Sequence, residues 1–497
     1  MQQNKDGEPK SFKLFGLFSL VVLLGATYIY AGSFEDFKRT QSESFTKYKD
    51  ERDNAFNKYL KAEWLAYKDK QGISMYEKPK PAKIPKTAIK PIESIGPKVN
   101  IQVVKKLPIK QTVIEKIKKT ENIEKSKIVI AVKDKDKDIN IEFFGSKYGF
   151  NISDGLKNAN YFPKNKQGVS NFFDSAAGSE YDELITDIKK IRKKLVLNDW
   201  ALYLLVNKIS AKVHSDVDNA SLMSWFIFNK LGYAVKVGLA NKHIILMYYS
   251  KKDIYSTPSY NFDKKRFYVI ANYNKPSVGR LYSYPQNYPD ANKAIDLSLK
   301  ELPKFENDMK YKDLSFVEDS KKYEIGFNYN QNIINFMATY PQADYDTYFN
   351  APLDKETYDV IATKLKEFVD GKKMSEAINF VLHFVQKSFN YQRDNEQFGR
   401  EKVMFAQETL YYDKSDCEDR AVLFSKLTSS LFKIGVIGVK YKDHMSTALY
   451  IPIDGDSVKA SSRRFVIADP TYINSNIGQN MPKYKSIKPQ SFIVVKR

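Results

Sequence analysis

Cys417 is the only cysteine in 497 residues, and its setting, Ser415-Asp416-Cys417-Glu418-Asp419, is where this chain could do chemistry. Ser-x-x-Glu is a capping-box pattern. Ser415 would cap a helix and Glu418 would reach back to its amide, with Asp416 and Asp419 offering the same pairing one residue later. Leu423, Leu427 and Leu431 follow at helical spacing, which puts Cys417 in the first turn of a helix with one buried face. Free backbone amides and the positive end of the helix dipole favour a thiolate there. The neighbouring carboxylates oppose it, because negative charge raises a thiol pKa. By default a lone cysteine is a small buried hydrophobe. A partner imidazole would make it a nucleophile.

The chain has four histidines: His214, His243, His383 and His444. His214 and His383 read as ordinary surface or helix-edge residues. His444 lies 27 residues after Cys417 and opens a strand-like run, "HMSTALYIP". The run "RRFVIADPTY" then predicts a further strand with Asp469 at its end. A helix carrying a thiol, then strands carrying an imidazole and a carboxylate, can form a nucleophile–base–orienter triad. The Cys417 amide is a natural oxyanion donor. A second donor stays open among Tyr391, Gln397, Gln407 and Tyr412.

"SDCEDRAVLF", "DHMSTAL" and "VIADPTY" resemble, in order and spacing, the Cys, His and Asp blocks of the transglutaminase-like superfamily, which has a papain-type fold. The "DCED" form is most similar to bacterial transglutaminase-like cysteine proteinases. The resemblance covers roughly residues 355–480. It implies Cys417 as nucleophile, His444 as base, Asp469 as orienter, and acyl transfer through a thioester, as peptide or amide hydrolysis or as cross-linking. The "DCED" form points to hydrolysis, hence a cysteine peptidase or amidase acting on a protein or peptide. No cofactor is implied. Calcium stays open, because some relatives depend on it and Asp416, Glu418 and Asp419 are oxygen donors.

The expected fold class is α+β, and the elements that must position these groups read as six segments. Residues 1–32 form an N-terminal membrane anchor or signal. Residues 33–75 form a helical stalk: Phe34, Phe45, Phe56 and Tyr67 recur every eleven residues and would line one helix face, suited to self-association or to packing as a spacer. Residues 76–138 are a Pro/Lys-rich linker, whose prolines favour an extended chain. Residues 139–275 are a middle α/β domain, residues 276–352 a β-rich connection, and residues 353–497 the transglutaminase-like domain. "RFYVIANYN" (266–274) and "RRFVIADPTY" (463–472) share a pattern, each after a helix and a His-bearing strand. The middle region is therefore a candidate degenerate copy, with chance likeness as the rival explanation.

Residues 14–31 are apolar and uncharged, with Lys5, Lys10 and Lys13 before them. This predicts a single-pass anchor in a bacterial inner membrane, with the bulk of the chain in the periplasm. Export after signal cleavage is the alternative. The net charge of +21 is mostly dispersed lysine, and no nucleic-acid-binding signature accompanies it, so nucleic acid is not an expected partner. The rival to an enzyme is a non-catalytic envelope scaffold or binding protein on the same fold.

Overall fold

In the computed structural model, residues 34–99, 137–275 and 277–496 are described. Two compact units divide the chain, residues 1–51 and 52–497. The described residues of the first are helical, and the helix Phe34–Lys61 supplies them. It stops at Lys61, and Tyr67, expected on the same stripe, lies in the strand Leu65–Lys68. Phe45 and Tyr48 are exposed, whereas Phe56 is buried. Phe56 packs within the second unit edge-on to the rings of Phe173, Tyr284 and Tyr288, at 5.1–5.7 Å between centroids. Hydrophobic burial therefore splits the stripe, and only part of the expected stalk is exposed.

The membrane expectation is corrected. Among the described residues no helix is long and apolar enough to cross a membrane. Residues 14–31, which suggested one, lie outside the described residues. The structure is α+β but does not support a transmembrane helix in the fold, nor the single-pass inner-membrane placement.

The second unit holds two antiparallel sheets of related order. In one, Val235–Ala240, His243–Tyr249, Lys265–Tyr268 and Ser259–Phe262 lie side by side in that order, and Arg280–Ser283 pairs on the outer side of the first. In the other, Gly435–Lys440, Met445–Tyr450, Arg463–Ala468 and Ser457–Ala460 repeat the order, and Ser491–Val494 takes the outer place. A helix precedes each set: Val217–Lys230 and Cys417–Phe432. The chemistry is not repeated. Val217, which opens the first helix as Cys417 opens the second, is exposed. Asn272 turns out of the sheet in the short helix Ile270–Asn272, and His243 meets Asp218 instead, at 3.3 Å.

Strand Arg280–Ser283, placed by sequence in the β-rich connection, thus joins the middle sheet, and Leu65–Lys68 pairs on its far side as the edge strand. The hairpin Met309–Glu318 and Lys321–Asn330 follows it. Helices Lys355–Val369 and Met374–Lys387 lead into the C-terminal half. Asp354 caps the first of them by accepting from the Thr357 amide, and Gly371 takes a left-handed turn (φ +73°) just after its end.

The described part of the expected linker, residues 76–99, departs most from expectation, and residues 100–136 lie outside the described residues. Residues 71–99 do not stand free. The amides of Glu77 and Lys78 donate to the Lys442 carbonyl, Thr87 donates to Ile473, and Val99 donates to Lys372. Prolines 79, 81, 85, 91 and 97 prevent a continuous ladder, so the segment crosses the C-terminal half as a strap held at separate points.

Candidate active site

Cys417 is the first residue of helix Cys417–Phe432, as the apolar spacing requires, but the cap falls one residue later than the Ser415–Glu418 box. The N-cap is Asp416, whose amide donates to Asp419 Oδ2 at 3.1 Å. Ser415 instead pairs with Tyr391 in a short parallel bridge, and its Oγ accepts from Arg420 Nε at 3.0 Å. Arg420 is wholly buried and also donates to the carbonyls of Phe389 (2.7 Å) and Gln386 (3.2 Å). It thereby ties the start of the thiol helix to the end of helix Met374–Lys387. Burial lowers its pKa to about 10, which leaves it charged at neutral pH.

His444 precedes strand Met445–Tyr450, and Asp469 follows strand Arg463–Ala468, which pairs with it. That pairing brings the two side chains together: His444 Nε2 lies 2.8 Å from Asp469 Oδ2, and both residues are buried. Asp469 Oδ1 accepts from the Thr471 amide at 2.9 Å, and its carbonyl accepts from Gln386 Nε2 at 3.0 Å, so the carboxylate cannot swing away. The imidazole is stacked on Tyr484, at 4.9 Å and 18°. With Nε2 engaged, Nδ1 is the other proton-handling atom of the ring. It is buried and has no hydrogen-bond partner among the described residues.

The structure brings the thiol to the same corner. The Met445 backbone N–H, next in the chain to His444, hydrogen-bonds to Cys417 and favours its thiolate. No hydrogen bond joins Sγ to the imidazole. The thiol donates instead to Glu418 Oε2 at 3.1 Å, and the Tyr76 hydroxyl lies 3.8 Å from Sγ. Burial, then Glu418 and Asp416, push the Cys417 pKa well above its ordinary value. In this arrangement the sulfur is a protonated thiol without exposure to solvent.

The acidic neighbours have a partner that the sequence does not reveal. Lys80 Nζ, from the strap, lies 2.7 Å from Asp394 Oδ2, 2.7 Å from Asp416 Oδ2 and 3.0 Å from Glu401 Oε2, and it also bonds Glu418 Oε1. Burial works against this ammonium, but the carboxylates outweigh it and hold its pKa well above the ordinary value. Burial opposes ionisation of Glu418 too, and there Lys80 prevails and lowers the pKa. An oxygen-only set of this kind suits a hard cation such as calcium. Lys80 already stands among the donors, so a metal ion does not fit while the strap is docked.

Of the other candidates, Tyr391 is the one coupled to the thiol: burial first, then Cys417, push its pKa far up, and its hydroxyl donates to the Pro81 carbonyl at 2.7 Å. Gln407 is engaged with Asp354 and Thr357 instead. Tyr412 packs its ring on Phe398, and nothing ties Gln397 to the thiol. His214 and His383 are buried rather than peripheral; His383 pairs with Glu318 at 2.7 Å. Tyr76, Lys80, Asp394 and Glu401 carry no motif. The only hint of docking is the apolar pair Met75-Tyr76 inside a lysine-rich stretch.

One lysine cannot neutralise this many carboxyls, and the surplus shifts toward the acid form. Burial pushes the Asp394 pKa up to about 7 and raises Asp416 and Asp419 as well. Between the ordinary carboxylate range and that value, folded Asp394 keeps a proton that the unfolded chain has released. This contribution to stability is fully present below the unfolded pKa and is lost as pH rises through about 7. The denaturation midpoint is expected to fall between about pH 5 and about pH 8, and Asp394→Asn to flatten the fall. A midpoint that rises over that interval contradicts the assignment.

No family model, no curated protein and no solved structure matches this chain.

Proposed function

We propose that residues 353–497 form a transglutaminase-like cysteine hydrolase domain, with Cys417 as nucleophile, His444 as base and Asp469 as orienter. The observation that carries the reading is the buried His444–Asp469 pair, whose imidazole Nδ1 is unpartnered, one residue before the Met445 N–H that reaches the thiol at a helix start. His444 Nδ1 takes the thiol proton and Sγ attacks the acyl carbon. The Cys417 amide faces the oxyanion. The C–N bond then breaks, and the imidazolium gives its proton to the departing amine. A water, deprotonated by His444, hydrolyses the thioester to free acid and regenerates the thiol. Asp469 keeps the ring in the tautomer and orientation that these transfers need.

The occluded, protonated thiol favours a second reading, a binding protein on the same fold. Incubation of the full chain carrying Tyr76→Ala with a denatured protein mixture separates the two. The hydrolase reading expects new protein N-termini that disappear when Cys417→Ser is added. A binding protein yields none, and new inter-chain amide bonds in place of new N-termini would assign cross-linking.

A further inference from the structure

We propose that residues 75–99 are an autoinhibitory strap: Tyr76 covers the thiol, Lys80 locks the strap into a carboxylate cage, and an acyl substrate reaches Cys417 only after the stretch around Tyr76 and Lys80 lifts. This rests on the reading of Cys417 as the nucleophile.

Four observations carry it. Cys417 has no exposed surface, so no substrate reaches it as the chain stands. The Tyr76 hydroxyl is 3.8 Å from Sγ and donates to Glu418 Oε2 at 3.1 Å, the oxygen that also accepts the hydrogen bond of the thiol. A side chain of the strap thus lies against the sulfur, backed by the ring of Tyr345. The lock is built on the nucleophile's own helix start, since Asp416 and Glu418 flank Cys417 and both bind Lys80. Finally, the strap passes as an extended chain beside the imidazole's turn: the amides of Glu77 and Lys78 reach the carbonyl of Lys442, two residues before His444. An extended peptide substrate would need the same corridor between thiol and imidazole.

The strap is also built to come away. Among residues 71–99 only Met75, Tyr76 and Lys80 are buried; Glu77, Lys78 and Pro79 between them are exposed. Its backbone contacts are single hydrogen bonds scattered along its length, to Lys442 beside the anchors and to Ile473, Lys372 and the start of helix Met374–Lys387 beyond them, and they form no continuous ladder. Two buried anchors near the thiol hold what is elsewhere a surface segment. A local opening there breaks few contacts and leaves the sheet and helices intact.

The test is the rate at which iodoacetamide alkylates Cys417, the only thiol, in the full chain. Wild type, Tyr76→Ala and Lys80→Met are compared, with amide hydrogen exchange followed in parallel. Alkylation of a buried group runs through its open fraction, so wild type is expected to react slowly and each variant about tenfold faster or more. In Lys80→Met, exchange should rise at Glu77 and Lys78 while helix Cys417–Phe432 stays protected. Tyr76→Ala keeps the lysine lock and decides the matter if Lys80→Met does not fold. Tyr76→Ala that reacts no faster than wild type overturns the proposal. So does a folded Lys80→Met whose Glu77 and Lys78 amides exchange no faster than in wild type. Faster alkylation of Tyr76→Ala that is unchanged by adding His444→Ala keeps the strap and removes the catalytic reading.

Discussion

Cys417→Ser, made in a Tyr76→Ala background, is expected to lower peptide-bond cleavage by about 10³-fold or more. The magnitude follows from the nucleophile. A thiol can be deprotonated by an imidazole near neutrality, whereas a serine hydroxyl is far less acidic and, with its shorter C–O bond, is displaced from the position from which the sulfur attacks and shares its proton. His444→Ala should cost a comparable factor, because members of a proton-relay unit fail together rather than additively. Asp469→Asn keeps the shape beside Nε2 but offers an amide where a carboxylate stabilises the imidazolium, so cleavage should also fall steeply. Appearance of new N-termini, timed by an amine-reactive label, measures all three. Cleavage that survives Cys417→Ser contradicts the assignment.

Lys80→Met is expected to have the largest effect on the closed state, destabilising it by about 3–5 kcal/mol. The lysine is the one cation bonded to Asp394, Glu401, Asp416 and Glu418 together. Removing one partner of a buried pair leaves the other charges uncompensated in a poorly solvated place. Here the protein has a way to relieve the cost, since lifting the strap lets water reach the carboxylates. The loss should appear as release of the strap rather than as unfolding of the sheets. Adding Asp394→Asn and Glu418→Gln to Lys80→Met removes two of the four stranded carboxyls and leaves Asp416 and Glu401, so protection at the Glu77 and Lys78 amides should return in part. If the triple variant exchanges as fast as Lys80→Met alone, the charge cage is not what holds the strap.

The helix start at Cys417 was legible because leucines at helical spacing and a run of capping residues mark it locally. The placing of His444 and Asp469 was legible for a similar reason: each borders a strand that reads clearly, and adjacent antiparallel strands bring their ends together. Which residue caps was not legible, since Ser415 and Asp416 both fit the box and a contact with Arg420 decides between them. The strap was not legible either. Its composition is that of a solvated linker, and its docking depends on two side chains that meet partners more than 300 residues away in sequence. The eleven-residue stripe predicts one long helix face, yet tertiary burial of Phe56 and the strand at Tyr67 divide it. The acidic run around Cys417 looked hostile to a thiolate for want of its lysine. With Lys80 in view, the same carboxylates anchor the strap and, after burial itself, keep the resting thiol protonated.

The central claim is that His444 activates Cys417 once the thiol is uncovered. It is tested most directly by the pH dependence of Cys417 alkylation in Tyr76→Ala against Tyr76→Ala with His444→Ala. The account predicts that the imidazole sustains alkylation down to about pH 6, and that its loss slows the reaction about tenfold or more there. Identical pH profiles in the two proteins would contradict it.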